Sequence, residues 1–484
     1  MPVADDLFLL IHSLTPSEKR YFKIHAKTHV GDKYKNSYEK LFDAMNYWPE
    51  GEEYDEKLFK RKHKGKTFLK NLSAQKHYLY ELILDTMRAF HAENKTEIRL
   101  HHLTADLRLL YDKGLHEQGK KLIDKAYAEA EANEQLPFMI TLCQFKDRFS
   151  RYRQTDEERE QSEQSFEKEK ELLKMLEAER SIAHLRRQIF NLYITGKLTP
   201  EIRGFKQQLA ELETKTGNIQ RTTSFRRSHI VCNALIAEKE GDYTGAMQWH
   251  EQLMGIAEKE SKDNREPVEY MRTLLSNYLV CAHHCERYDL FAGIIKRIEE
   301  QPAPAPRDKA EIFIHTYQYR LLYHLNVPNT TGGEEVVQAI EKGLKKYHAL
   351  IAPKIEINLR MNICIFLLQR KKFDLLINAL SNAYNLLGRD EKYLRLLRDL
   401  KFMELMANTS LGNFDLLDYQ LRNIDRWLKQ HTLNNTYTEA LIAFFKSCQH
   451  AGSIKNKSGQ LATADCPPEM MMLKELIDKW NSKL

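Results

Sequence analysis

Ala234-Leu235-Ile236-Ala237-Glu238-Lys239-Glu240-Gly241-Asp242-Tyr243-Thr244-Gly245-Ala246-Met247-Gln248-Trp249-His250-Glu251-Gln252-Leu253 is the stretch that decides the fold. An apolar run ends in charged residues and is broken at Gly241-Asp242. After Tyr243, positions 3, 7 and 10 further on hold Ala246, His250 and Leu253. At 3.6 residues per turn those offsets share one helix face. The reading is helix, short turn, second helix, with glycine where a helix gives way to a turn.

The pattern recurs outward from there. Similar breaks carry a bulky landmark at Tyr288, Phe373 and Phe414, and upstream at Leu198 and His116. Adjacent landmarks lie 41 or 45 apart, or at 82 and 85, close to two units. Seven intervals from His116 to Phe414 average about 43 residues. Three residues after five landmarks come Gly119, Ala246, Phe291, Leu376 and Leu417. Seven after come Ile123, His250, Ile295, Leu380 and Leu421, and ten after come Ala126, Leu253, Ile298, Ala383 and Ile424. Nine before come Leu107, Ala234, Leu279, Cys364 and Leu405. Leu198 fits less well, with Glu201 at its third position.

This resembles the tetratricopeptide-like family of helical hairpins, on Gly241-Asp242-Tyr243 with Ala246 and, in part, on Gly114, Gly119, Ile123 and Ala126. The resemblance covers roughly residues 95 to 450. The period exceeds that family's repeat of about 34 residues. Phe291, Leu376 and Leu417 stand where the family has a small residue. The resemblance implies an all-α fold, an α-α superhelix (a TPR-like, right-handed solenoid) of about eight helical hairpins.

Composition agrees with helices. Among 484 residues there are 63 Leu and only eight Val, and Gly and Pro total 32. β-Branched residues favour strands, whereas Leu keeps its rotamers in a helix. The net charge of +6 permits an anionic partner without requiring one. No apolar run approaches the ~18 residues of a membrane span, so no membrane partner is expected. Seven scattered Cys and an N-terminus, Met1-Pro2-Val3-Ala4-Asp5-Asp6, without a basic leader point to a reduced, cytoplasmic protein.

Three segments are expected: an N-terminal helical module at 1–93, repeats at 94–450, and a linker with a C-terminal capping helix at 451–484. The module reads as helices near 4–13, 16–28, 35–46, 54–62 and 67–91. Thr15-Pro16-Ser17-Glu18 and Thr155-Asp156-Glu157-Glu158 are capping boxes, and Thr199-Pro200-Glu201 is a Pro start. Residues 155–194 read as two consecutive helices with a tight turn near Ser181, in preference to a coiled coil. Gln301 to Pro306 is a stiff connection, and Asn326 to Gly333 a loop. The last helix carries Met470, Leu473, Leu476, Ile477 and Trp480 on one face and reads as a cap.

Candidate chemistry is sparse. Lys57, Lys60, Arg61, Lys62, Lys64, Lys66, Lys70 and Lys76 form a basic run with no acid between 57 and 80. Phe59, Phe68, His77, Tyr78 and Tyr80 are interleaved. These cations are the candidate contacts for an anion or a nucleic acid. Core helices with a solvated basic face explain the same run. Gly65-Lys66-Thr67 lacks the earlier glycine of a P-loop, since Lys60 stands there. Cys281-Ala282-His283-His284-Cys285 has no second ligand pair, and a metal is not expected. Tyr317, Arg320 and His324 lie on a polar-aromatic helix and are candidate groove contacts, or else packing between units.

No catalytic residue, cofactor or metal is assigned. The expected function is a non-enzymatic scaffold that holds a protein or peptide partner in a helical-repeat groove. The alternative is a nucleic-acid-binding regulator that touches DNA or RNA through 57–76 and senses a partner through its repeats.

Overall fold

The computed structural model describes residues 4–29, 32–48, 54–92, 95–151, 156–217, 222–262, 268–388, 390–451, 466–467 and 470–482. All regular structure among them is helical. Five helices build the N-terminal module: α1 (Ala4–Ser13), α2 (Pro16–His29), α3 (Asp32–Asn46), α4 (Glu56–Lys62) and α5 (Leu72–Ala92). Then come α6 (Thr96–Asp112), α7 (His116–Ala132), α8 (Leu136–Ser150), α9 (Asp156–Ile194), α10 (Ile202–Lys215), α11 (Thr223–Glu240), α12 (Tyr243–Lys262) and α13 (Val268–His284). The remainder are α14 (Phe291–Glu299), α15 (Pro306–Asn326), α16 (Gly333–Tyr347), α17 (Pro353–Gln369), α18 (Phe373–Leu387), α19 (Leu394–Leu411), α20 (Phe414–Gln430), α21 (Thr436–Ala451) and α22 (Met471–Ser482). The chain packs as two compact units, one of residues 1–290 and 300–309, the other of residues 291–299 and 310–484.

The landmarks mark helix reversals. His116, Tyr243, Phe373 and Phe414 each open a helix. Tyr288 opens a 3-10 turn, and Leu198 directly precedes another. Two residues before each landmark the backbone is left-handed, at Gly114, Gly196, Gly241, Glu286, Lys371 and Gly412. The next amide then donates back into the helix it has left, as Asp242 N to Ala237 O (2.9 Å) and Lys372 N to Leu367 O (2.9 Å) do. This closure satisfies carbonyls that the helix end would orphan, and it turns the chain back on itself.

Each reversal is flanked by a buried stripe. At offsets −9, +3, +7 and +10 from the five landmarks that share the pattern, every residue is buried. Gly119 is small by necessity, because a Cβ there would meet the Phe149 ring at 2.2 Å. The later units accept Phe291, Leu376 and Leu417 at that slot, all buried.

In the module, the five expected segments are helical, but the last is divided. A 3-10 turn at Thr67–Leu69 and left-handed Asn71 precede α5. Phe59, Phe68, Leu72 and Leu79 join Phe22, Phe42 and Trp48 in one core. The capping box forms as expected: the Thr15 amide donates to Glu18 Oε2 (2.7 Å), and the Glu18 amide to Thr15 Oγ1 (3.3 Å). Thr155, in the second proposed box, lies outside the described residues.

The expected turn near Ser181 is not there. α9 runs unbroken for 39 residues. Its first half packs on α8, with Leu172 in that core and Ser162 donating to Asp147 (2.6 Å). Its second half places Ala178, Ile182, Leu185 and Ile189 in the next core, beside α10 and α11. No Gly or Pro interrupts the stretch, so the second helix of one hairpin continues as the first of the next. Proline at exposed Ser181 removes a mid-helix hydrogen bond and costs about 3 kcal/mol. The expected outcome for Ser181→Pro is a loss of that size in urea unfolding; a turn at Ser181 would leave stability unchanged.

Candidate functional site

Polar side chains rarely sit inside the apolar stripe, and one does so conspicuously. The column seven residues after the landmarks reads Ile123, Ile295, Leu380 and Leu421, but His250 in α12. His250 is buried, and its Nε2 lies 2.8 Å from Glu238 Oε1 on α11. Cys281 on α13, fully buried, directs its thiol to the same oxygen at 3.7 Å. Tyr193, in the last turn of α9, donates its hydroxyl to the other carboxylate oxygen, Glu238 Oε2, at 2.6 Å. Four helices of the first unit therefore meet at one carboxylate, just below the Gly241 reversal.

The electrostatics arise from that arrangement. Burial alone pushes the Glu238 carboxyl up, but hydrogen bonds from His250, Tyr193 and Cys281 and the nearby imidazole charge hold it below its ordinary value. Burial and the adjacent carboxylate push the Cys281 thiol and the Tyr193 phenol well up, so both stay protonated at neutral pH. A raised thiol is a poor nucleophile. His250 Nδ1 is buried with no hydrogen-bond partner.

The Cys281–Cys285 segment does not come together as one cluster. The His284 ring stacks flat on Tyr243, with centroids 4.0 Å apart. His283 Nδ1 lies 2.8 Å from the Tyr288 hydroxyl, and Cys285 packs by the Thr244 hydroxyl. Only Cys281 turns to Glu238 and His250. The pairing was hidden because its members come from three helices, although a histidine in an aliphatic column was a visible signal.

In the basic run, Lys57, Arg61, Lys62, Lys64, Lys66 and Lys70 are exposed. Lys62 also lies over the Trp48 ring, 4.5 Å from its centre. Lys60 pairs with Glu56 at 2.7 Å. Lys76 is not part of the surface stripe: it is buried, bound to Glu56 at 2.6 Å and set over the Tyr54 ring. An ammonium can be buried there because a carboxylate and a ring face take its charge. Burial, then Lys66 and Lys62, lower the His63 pKa, which registers the positive field of this patch. Gly65 is left-handed in the turn after α4, so a helix and not a strand precedes Gly65-Lys66-Thr67.

Tyr317, Arg320 and His324 are engaged inside the second unit. The Tyr317 ring contacts Phe313 (5.2 Å) and lies under the Arg320 guanidinium. Arg320 donates to Glu299 at 2.6 Å, tying α15 to α14. His324 Nδ1 meets Thr330 Oγ1 at 2.8 Å, and Arg370, just past the end of α17, donates to the His324 carbonyl.

A different surface of this unit holds a helix. α22 does not stack as a further layer beyond α21. It folds back across α17 and α19, and its Trp480 ring reaches Phe444 and Phe445 of α21. Met470, Leu473, Leu476, Ile477 and Trp480 are all buried there. The Trp480 indole donates to Ser410 Oγ at 3.0 Å.

No known family model matches this chain, and no curated protein or solved structure matches it. Among the described residues no helix is long and apolar enough to cross a membrane.

The lowered Glu238 pKa sets a pH dependence. A carboxylate held below its unfolded value stabilises the fold above the unfolded pKa, and that contribution is lost as pH falls through the folded one. Glu238→Gln removes the charge and costs about 1–3 kcal/mol near neutrality. The gap between wild type and Glu238→Gln, read from urea unfolding, is expected to narrow as pH falls below the ordinary carboxylate pKa of about 4.3. A gap independent of pH contradicts the assignment.

Proposed function

We propose that the chain is a non-enzymatic, cytoplasmic scaffold of TPR-like hairpins wound as an α-α superhelix. The first helices of its hairpins form the face that takes a peptide or partner protein. One observation carries this reading: α17 and α19, each the first helix of a hairpin, together with α21, already hold an amphipathic helix, α22. Its apolar residues at 470, 473, 476, 477 and 480 enter that face, while exposed Met471, Met472 and Lys479 lie away from it. A groove that receives a helix through spaced anchors is a common mode of peptide recognition.

The test uses the full chain. Leu476→Asp with Trp480→Asp places two charges in the apolar contact and releases α22. The hairpins are expected to keep their helical circular dichroism and cooperative melting. The released face then binds a labelled peptide of residues 466–484 in trans, whereas wild type, already occupied, binds it at least about tenfold more weakly. Collapse of the second unit on release, or a folded variant that ignores the peptide, overturns the reading.

The exposed cations favour a second reading, a nucleic-acid-binding regulator that also senses a partner. Lys57, Arg61, Lys62, Lys64, Lys66 and Lys70 face solvent without an intervening acid. Binding of a labelled oligonucleotide through them falls steeply between about 50 and 200 mM salt. It is lost in Arg61→Glu with Lys64→Glu. Salt-insensitive binding, or none, removes this reading.

A further inference from the structure

We propose that Glu238, His250 and Cys281 form a binding site for a zinc-class divalent cation in the first unit. This goes beyond the scaffold reading and does not depend on it. One candidate ligand atom from each of the three residues lies within 4.8 Å of the other two, and Glu238 Oε1 is 2.8 Å from His250 Nε2 and 3.7 Å from Cys281 Sγ. A cation bound at about 2.0–2.3 Å from each fits donors so spaced after small side-chain shifts. The set mixes imidazole, thiol and carboxylate, which suits zinc better than a hard cation that prefers oxygen alone.

Convergence here is unusual for packing alone. A fully buried thiol is ordinarily a small apolar filler. Cys281 instead directs its sulfur to a carboxylate oxygen that already faces a histidine. The outer shell is partly built: Tyr193 donates to Glu238 Oε2, the oxygen left over, and so orients the carboxylate toward the other two groups. The fourth position belongs to water, as in sites with three protein ligands.

Charge and protons balance. Without the cation, Glu238 is held as a carboxylate and the Cys281 thiol keeps its proton. On binding, the Cys281 thiol proton leaves to solvent, and Nε2 gives up any proton it carries, so the ring ligates as a neutral imidazole with its N–H on Nδ1. Nδ1 has no other partner to displace. One carboxylate and one thiolate then face one divalent cation, and the interior is neutral. No oxidant or reductant is involved. Because the ligands come from α11, α12 and α13, the cation would fasten three consecutive helices.

Cobalt(II) is the direct probe, because a cobalt–thiolate bond gives a charge-transfer band that oxygen and nitrogen ligands do not. The expected result on the full chain is one cobalt per chain with that band, displaced stoichiometrically by zinc, and a zinc-dependent rise in melting temperature. His250→Gln, which can still hydrogen-bond Glu238, and Cys281→Ala each weaken zinc binding at least about a hundredfold. Cys285→Ser leaves binding and band intact. Wild type alone suffices to overturn the proposal, by showing no thiolate band and no zinc-dependent stabilisation. So does a band that survives Cys281→Ala, or that disappears in Cys285→Ser.

Discussion

The left-handed residue two positions before each landmark is the constraint on which the rest depends. A helix that reaches it cannot continue, and the next amide returns to a carbonyl five residues back. The chain reverses, and the landmark starts the following segment in fixed phase. Fixed phase places offsets 3, 7 and 10 on the buried side at the five landmarks that share the pattern, whereas Glu201 and Gln208 after Leu198 are exposed. Gly114, Gly196, Gly241 and Gly412 adopt the conformation freely. Glu286 and Lys371 adopt it against the preference of a side chain, at about 1–2 kcal/mol each. That the closure persists at those two positions shows how strongly the flanking stripes demand it.

Much of this was legible in the chain. The breaks at Gly241-Asp242 and Gly412-Asn413 and the apolar columns around them mark hairpins without any structure. Local chemistry also located the N-terminal helices and the Thr15–Glu18 capping box. What was not legible depends on continuity or on distant partners. Nothing between 156 and 194 forbids a helix, so propagation wins, and two expected helices fuse into α9. The amphipathic pattern of α22 showed that it would be buried, but not that it would lie back across α17, α19 and α21. Lys76 looked like its basic neighbours, because only the fold brings Glu56 and Tyr54 to it.

The two units differ in what their interiors do with polar groups. In the first, a histidine displaces an aliphatic residue from the +7 column and gathers a carboxylate, a thiol and a phenol around it. In the second, the same column is aliphatic throughout, and the notable feature is a surface occupied by the chain's own terminal helix. Tyr317, Arg320 and His324 bind elements of that unit to one another. The terminal segment is held on that surface by five apolar anchors and one indole hydrogen bond.

Native-state hydrogen exchange of α22 tests most directly whether that face is a receiving surface. If it is, the amides of Met471–Ser482 exchange through a local opening of α22, well below the free energy at which α17 and α19 open. If α22 is instead an integral part of the core, its amides exchange only with those of α17 and α19, in one global unfolding event, and the receiving face is contradicted.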